Sequence, residues 1–144
     1  MSARAWAAFG AVSVLWGIPY FLIKVAVETA LGKRETVSVF GTDYGTPDGT
    51  GVRDYIHVSD LAAAHVLALE ALIAAPDRSL TMNCGYGRGF SVLEVLDAVD
   101  RVTNRTITRI MGPRRAGDPD SLISDNRLIR ETLPWQPCYA DLDT

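Results

Sequence analysis

The loop and short apolar run at residues 41–60 combine side chains that could bind a polar ligand. A loop punctuated by glycines and a proline, GTDYGTPDGTG, leads into Arg53, Asp54 and Tyr55. The glycines predict a backbone that turns tightly and lets a ligand approach closely. A guanidinium can bind a phosphate through two parallel hydrogen bonds, and the carboxylate and phenol beside it are further polar groups. The spacing therefore predicts a polar ligand that carries phosphate. A structural role for the neighbouring arginine and aspartate is the alternative that the pattern leaves open.

A second polar cluster, GPRRAGDP, follows at residues 112–119. Its adjacent Arg114 and Arg115 can clamp a phosphate, and Asp118 can accept a hydrogen bond from a ribose hydroxyl. A solvated basic turn is the alternative, because surface charges seldom have specific work. The GYGRG loop at residues 85–89 is a weak phosphate-loop signal, since the full GxGxxG spacing is absent.

Alternating strand and helix patterns must position these loops. The capping box of Ser91 and Glu94 predicts a helix from Val92 to about Val102. Ser59 is the predicted cap of a helix over about residues 60–75, whose apolar residues surround much of its girth. The remaining patterns predict strands at 36–40, 55–58, 80–83 and 106–110, and a last helix that Ser124 or Asp125 caps and that ends near Leu133.

Charge and composition exclude several classes of function. The chain has 17 acidic and 14 basic residues and a net charge of −3, so it lacks the basic footprint of a nucleic-acid-binding protein. Cys84 and Cys138 are far apart, which predicts two reduced thiols in an intracellular protein. His57 and His65 are the only histidines, and we expect both to be structural, with no metal site.

The stretch at residues 5–23 is free of charged residues. As a helix it would be ~28 Å long, close to the hydrocarbon thickness of a bilayer, and it predicts a transmembrane or membrane-embedded helix. A signal peptide is the competitor, but no clear cleavage site follows. Residues 5–28, and SVLWGIPYFLIKVAVE within them, resemble the first helix of EamA-type drug/metabolite transporters; a single helix of that kind cannot form a transport path. The basic residues after the stretch place residues 31–144 in the cytoplasm, with a membrane anchor at their N-terminus as the hypothesis.

A longer resemblance covers residues 35–144. VFGTDYGTPDGTGVRDYIHVSDLAAAHVLALEAL, NCGYGRGFSVLEVLDAV and GPRRAGDPDSLISDNRLIRETLPWQPCYADLDT resemble, in order and spacing, the C-terminal part of UDP-glucose 4-epimerases. These are NAD-dependent epimerases/dehydratases of the extended short-chain dehydrogenase superfamily. The resemblance implies an α/β fold: a partial substrate domain at 31–144, without the Rossmann half, after a hydrophobic leader at 1–30.

The same resemblance implies a clamp for the UDP part of a UDP-sugar. Arg53 and Arg115 match the arginines that face the diphosphate, and Asp118 matches the carboxylate that binds the ribose. Tyr55 matches a tyrosine nearby. The other matching positions are Ser38 and Phe40 beside the uracil, Val92 against the nucleotide, and Leu122 where some members have a sugar-side tyrosine.

The resemblance also implies what these residues lack. No strand followed by GxGxxG precedes the domain, so we expect the fragment to bind no NAD. Tyr20 and Lys24 fit the YxxxK pattern of short-chain dehydrogenases, but they lie in an apolar run without that context, and no catalytic residue is assigned. Because the parent reaction removes and returns a hydride at the sugar C4, we expect the chain to be inactive alone. A Rossmann-domain partner or a homo-oligomer would complete it; a membrane-anchored interaction module and a non-functional chimeric product are the other hypotheses.

Overall fold

The computed structural model describes residues 23–142, which alternate between helices and short strands. Residues 23–30 are helical and form the described part of helix α1. The elements that follow are β1 (Val37–Phe40), β2 (Val52–Arg53), α2 (Val58–Ala74), β3 (Phe90–Ser91), α3 (Val92–Thr103), β4 (Arg109–Gly112), β5 (Ser121–Leu122) and α4 (Arg127–Thr132). This composition confirms the predicted α/β class.

The strands form two small sheets. In the first, β1 pairs in parallel with β4. In the second, β2 lies in the centre, antiparallel to β3 and parallel to β5. Arg53 stands opposite Phe90 on one side and Leu122 on the other. The second sheet therefore brings the strand that follows the glycine-rich loop next to the strand that follows the GPRRAGDP loop.

Strand β1 separates the core of the first sheet from its exposed surface. Val37 and Val39 are buried, whereas Ser38 and Phe40 alternate with them and are exposed, as the period of two in a strand requires. The buried residues Val37 and Val39 pack in one cluster with Ala26, Ala30, Leu96 and Ile107. Helix α1 is thus packed against the residues that follow it.

A second cluster forms where the end of the chain folds back on α2. Trp135 is 3% exposed and packs with Ala64, Ile129 and Leu133. Its indole N–H donates to the backbone oxygen of Asp60 at 2.9 Å. These contacts pack the segment after α4 against the core.

The other side of α2 is apolar and exposed. Val66, Leu69 and Ile73 are 55%, 59% and 70% exposed, although they follow one another at helical spacing. Within residues 23–142 no element covers this face. The wide apolar coverage predicted for the helix is therefore present in the structure.

Several predicted boundaries were wrong. Residues 55–58 do not form a strand, because β2 ends at Arg53. The N-cap of α2 is His57 rather than Ser59: the ring nitrogen Nδ1 of His57 accepts a hydrogen bond from the N–H of Ser59 at 3.2 Å. Residues 80–83 form no strand, since no strand of the described chain pairs with them. The last strand pattern is shifted to β4, in register with β1, and the N-cap of α4 is Asn126. The capping box of α3 is confirmed.

The predicted transmembrane segment at residues 5–23 falls almost entirely outside the described residues. From residue 23 to residue 142, no helix has the length and apolar composition needed to cross a bilayer.

Candidate functional site

Arg53 and Asp118, which are far apart in the sequence, meet in an ion pair through the guanidinium Nη2 and carboxylate Oδ1. The arginine side chain is 18% exposed and the aspartate side chain 35% exposed, so the pair is partly shielded from water. The other terminal nitrogen of Arg53 donates to the backbone oxygen of Val52 at 2.7 Å. These contacts fix the direction in which the guanidinium leaves β2.

Tyr55 lies beside this pair, in a cluster with Phe90 and Val95. It is 7% exposed, and burial raises the pKa of its phenol to about 12, with the nearby charges of Arg53 and Asp118 acting in opposite directions. The phenol therefore stays protonated at neutral pH. Among residues 23–142 its hydroxyl has no hydrogen-bond partner. A buried hydroxyl usually has a partner, so this one is available to a bound molecule.

The glycine-rich loop is held against the second loop by Arg114. This guanidinium pairs with Asp43 at 2.6 Å and with Asp120 at 3.4 Å, and it lies 4.1 Å from the centre of the Tyr44 ring. The hydroxyl of Tyr44 then donates to Asp118 at 3.4 Å. Gly41, at φ +84°, permits this arrangement, since a Cβ there would collide with the Tyr44 ring. Arg114 thus fastens the two loops together.

Arg115 is arranged differently from its neighbour. Its guanidinium lies 4.1 Å from the centre of the Phe40 ring, and no carboxylate of the described chain pairs with it. Phe40 and Ser38 occupy the exposed face of β1. Stacking on an aromatic ring orients a guanidinium without neutralising it, so Arg115 keeps its donors for an anion.

Seven of the eight predicted site residues fall into two groups, and Val92 lies apart from both. Arg53, Asp118 and Tyr55 lie together, with Leu122 paired to Arg53 across the sheet but 62% exposed. Arg115 and Phe40 contact each other, and Ser38 is two residues away on the same strand face. Val92 begins α3, and its N–H donates to Gly51 at the end of the glycine-rich loop at 3.2 Å.

Two residues that carry this arrangement were not predicted as site residues. Tyr44 could have been noticed as the one aromatic side chain inside the glycine-rich loop. Asp54 was recognised as polar, but its contacts join segments that are distant in sequence, and no local pattern reveals them. Its carboxylate accepts from the N–H groups of Tyr86 and Gly87, both at 2.9 Å. The GYGRG loop therefore directs these two N–H groups at a carboxylate of the chain.

Residues 23–142 contain no group of three or more His, Cys, Asp or Glu side chains placed to hold a metal ion.

Comparison with known proteins finds similarity to one family. The model of the NAD dependent epimerase/dehydratase family matches residues 18–85. This match begins upstream of residue 35, where the sequence alone indicated that the likeness starts. A UDP-glucose 4-epimerase from Azospirillum brasilense is 52% identical over 122 residues, which are 85% of this chain and 35% of that protein.

Solved structures agree. A UDP-Glc/GlcNAc 4-epimerase from Campylobacter jejuni is 50% identical, with a TM-score of 0.74 over 85% of this chain and 36% of that one. A UDP-glucose-4-epimerase from Stenotrophomonas maltophila, determined with bound NAD and formylated UDP-arabinopyranose, is 44% identical, with a TM-score of 0.79 over the same shares. This chain therefore resembles UDP-glucose 4-epimerases and spans about a third of their length.

Proposed function

We propose, from this resemblance to part of a UDP-glucose 4-epimerase, that the chain binds the UDP portion of a UDP-hexose. Arg53 and Arg115 contact the diphosphate, Asp118 accepts from the ribose, and Tyr55 donates its hydroxyl to the bound nucleotide. Ser38 and Phe40 flank the uracil, Val92 packs against the nucleotide, and Leu122 lies towards the sugar.

The observation that carries this proposal is the meeting of Arg53 and Asp118 beside the buried phenol of Tyr55. A cation, an anion and an unpaired hydroxyl donor converge there from two segments of the chain. A nucleoside diphosphate offers matching groups, because its phosphates need cationic donors and its ribose hydroxyls need an acceptor. Arg115 supports the assignment, since its guanidinium is oriented by Phe40 while its charge is unpaired within residues 23–142.

We infer that the same residues do not form a site for NAD. Its pyrophosphate needs free backbone N–H groups in a glycine-rich turn at the start of a helix. The described loop with the nearest composition, GYGRG, directs the N–H groups of Tyr86 and Gly87 at Asp54 instead. We therefore infer that these 144 residues bind the nucleotide sugar without interconverting UDP-glucose and UDP-galactose. That reaction would need an NAD-binding half in addition to these residues.

Calorimetric titration of UDP, and then of UDP-glucose, into the full chain tests the proposal. Arg115→Ala should weaken binding by about 1–3 kcal/mol, the scale of a lost charge-assisted contact. Arg88→Ala is the matched control, because Arg88 is also an exposed arginine over a phenylalanine ring, at 4.5 Å from the centre of Phe90. A folded chain that binds no UDP, or that loses equal affinity in both variants, contradicts the proposal.

A coupled assay with added NAD tests the inferred inactivity. UDP-glucose incubated with the chain and NAD should yield no UDP-galactose, whereas turnover by the purified chain would show that its residues complete an active site.

A further inference from the structure

We infer that Asp54 is the positioning residue of this clamp: its carboxylate holds β2 in the place from which Arg53 and Tyr55 reach their partners. The identity of the ligand rests on the proposed function, but the positioning itself concerns contacts within the chain. The inference begins from the position of Asp54, which lies between the two side chains that it would hold.

The carboxylate of Asp54 gathers donors from two distant segments. Its Oδ1 accepts from the N–H of Tyr86 at 2.9 Å. Its Oδ2 accepts from the N–H of Gly87 at 2.9 Å, from the hydroxyl of Ser124 at 2.6 Å and from the N–H of Ser124 at 3.3 Å. Asp54 therefore ties the GYGRG loop and the segment after β5 to the end of β2.

Strand β2 needs such a tie because it is very short. It has two residues, and its partners β3 and β5 each contribute two. A ladder of this length supplies few hydrogen bonds and cannot by itself fix a strand. The backbone N–H of Asp54 extends the pairing by donating to Leu122 at 3.2 Å. The carboxylate then adds four hydrogen bonds immediately beyond the strand.

The local sequence supports this use of the carboxylate. Gly85 is the first residue of the loop that Asp54 binds, and a Cβ there would lie 2.6 Å from Asp54 Oδ2 and would also collide with the hydroxyl oxygen of Ser124. Only glycine allows the three segments to approach so closely. Asn126 completes the junction by donating its side-chain amide to the backbone oxygen of Gly85 at 2.9 Å.

The chemistry of the donors separates Asp54 from the ligand-binding groups. All four hydrogen bonds to Asp54 come from neutral N–H or O–H groups, so Asp54 does not neutralise Arg53. Both of its oxygens are engaged, which leaves it poorly placed to bind a sugar or ribose hydroxyl. Asp118 alone pairs with Arg53 in the described chain. Asp54 thus acts through Arg53 and Tyr55.

The test is Asp54→Asn in the full chain, with two readouts. The first is the NMR signal of the Arg53 guanidinium protons, which is assigned by its absence in Arg53→Lys. The signal should be visible in the wild type because the ion pair slows exchange of these protons with water, and it should broaden or disappear in Asp54→Asn. The second compares uridine with UDP by calorimetry. The advantage of UDP over uridine should fall by about fivefold or more, the equivalent of one lost charge-assisted contact, while affinity for uridine changes less.

Asp60→Asn is the matched control. Asp60 also accepts only from neutral donors, namely the hydroxyl of Tyr86 at 2.6 Å and the N–H groups of Cys138 and Tyr139 at 2.9 Å. It is 4% exposed and lies in the cluster around Trp135, so its loss should lower the melting temperature without moving Arg53. If Asp54→Asn does not fold, Ser124→Ala removes one donor and should give the same changes at smaller size.

The outcomes separate the two proposals. Changes in the Arg53 signal and in the UDP advantage that occur in Asp54→Asn alone support both. If the wild type binds no UDP but the Arg53 signal still changes only in Asp54→Asn, the positioning role stands and the proposed function is wrong. An unchanged Arg53 signal in the Asp54 or Ser124 variant, or an equal change in Asp60→Asn, overturns the positioning role.

Discussion

Neutralising Asp118 should have opposite effects on two ligand contacts: it should favour phosphate binding by Arg53 and weaken the proposed ribose contact of Asp118 itself. In the free chain Asp118 pairs with Arg53, so a phosphate that binds Arg53 must compete with a carboxylate already in place. Asp118→Asn removes that competition but also weakens the acceptor proposed for the ribose. We therefore expect inorganic pyrophosphate, which has no ribose, to bind more tightly to the variant than to the wild type.

The expected size follows from the exposure of the pair. A hydrogen bond between charged groups contributes about 1.5–3 kcal/mol when it is well shielded. Because the Asp118 side chain is 35% exposed, solvent screening reduces this to about 1 kcal/mol. That energy corresponds to a gain of about fivefold in pyrophosphate affinity. For UDP, the loss of a ribose contact of about 1 kcal/mol offsets the gain, and the net change should stay within about twofold.

Titration calorimetry of pyrophosphate and UDP into both proteins measures this difference directly. Asp120→Asn is the control: it removes the same charge two residues away, from a carboxylate that accepts from the N–H of Gly45 at 2.8 Å and pairs with Arg114. An equal gain in Asp120→Asn would mean that net charge, not release of Arg53, is responsible. Weaker pyrophosphate binding by Asp118→Asn would refute the competition between carboxylate and phosphate.

Three further predictions concern stability and reactivity. Burial alone would raise the pKa of Asp60, but hydrogen bonds from Cys138, Tyr86 and Tyr139 outweigh burial and hold the pKa below its usual value. The charged carboxylate therefore stabilises the fold above the unfolded-state pKa of about 3.9, and this stabilisation is lost as the pH falls through the lower pKa of the folded state. In urea titrations the stability lost in Asp60→Asn should therefore shrink from pH 7 towards pH 3. Burial, together with the charges of Asp54 and Asp60, raises the pKa of the Cys84 thiol to about 11. Iodoacetamide at pH 8 should therefore alkylate the exposed Cys138 before Cys84, and mass spectrometry of the modified peptides measures this order. Ala26→Asp should lower the melting temperature far more than Val27→Asp, because Ala26 is fully buried and Val27 is 38% exposed. Equal effects of the two substitutions would mean that α1 does not pack on the domain.

The local patterns that could be predicted from the sequence are those that need no distant partner. The capping box of Ser91 and Glu94 closes within one turn, and the alternation of Val37 and Val39 with exposed neighbours is fixed by strand geometry. The strand predicted at 80–83 failed for the opposite reason. A strand needs a neighbour with free N–H and C=O groups, and no strand of the described chain pairs with these residues.

The same distinction applies to the candidate site. Side-chain chemistry identified Arg53, the adjacent Arg114 and Arg115, and Asp118 as capable of binding a ligand with phosphate and ribose, and the structure brings Arg53 and Asp118 into contact. That chemistry could not separate Arg114 from Arg115, which only the family resemblance distinguished, because their difference depends on which residues lie opposite them. Arg114 meets two carboxylates, whereas Arg115 meets a phenylalanine ring.

The partners of each arginine determine whether its guanidinium is free to bind a phosphate. The guanidinium of Arg114 lies between Asp43 and Asp120 and is neutralised by them. Its hydrogen bond to Asp43 lowers the pKa of that carboxyl, which favours the charged form that the ion pair needs. A guanidinium over a ring keeps its full charge, so Arg115 can meet a phosphate without first leaving a partner. Arg53 lies between these cases, since it must exchange Asp118 for a phosphate. If the clamp binds UDP, Arg115 should therefore make the first contact with the diphosphate, and Arg53 should follow as Asp118 turns to the ribose. Higher salt should then weaken the Arg115 contact more than the half-buried Arg53 contact, which double-variant titrations at two ionic strengths would measure.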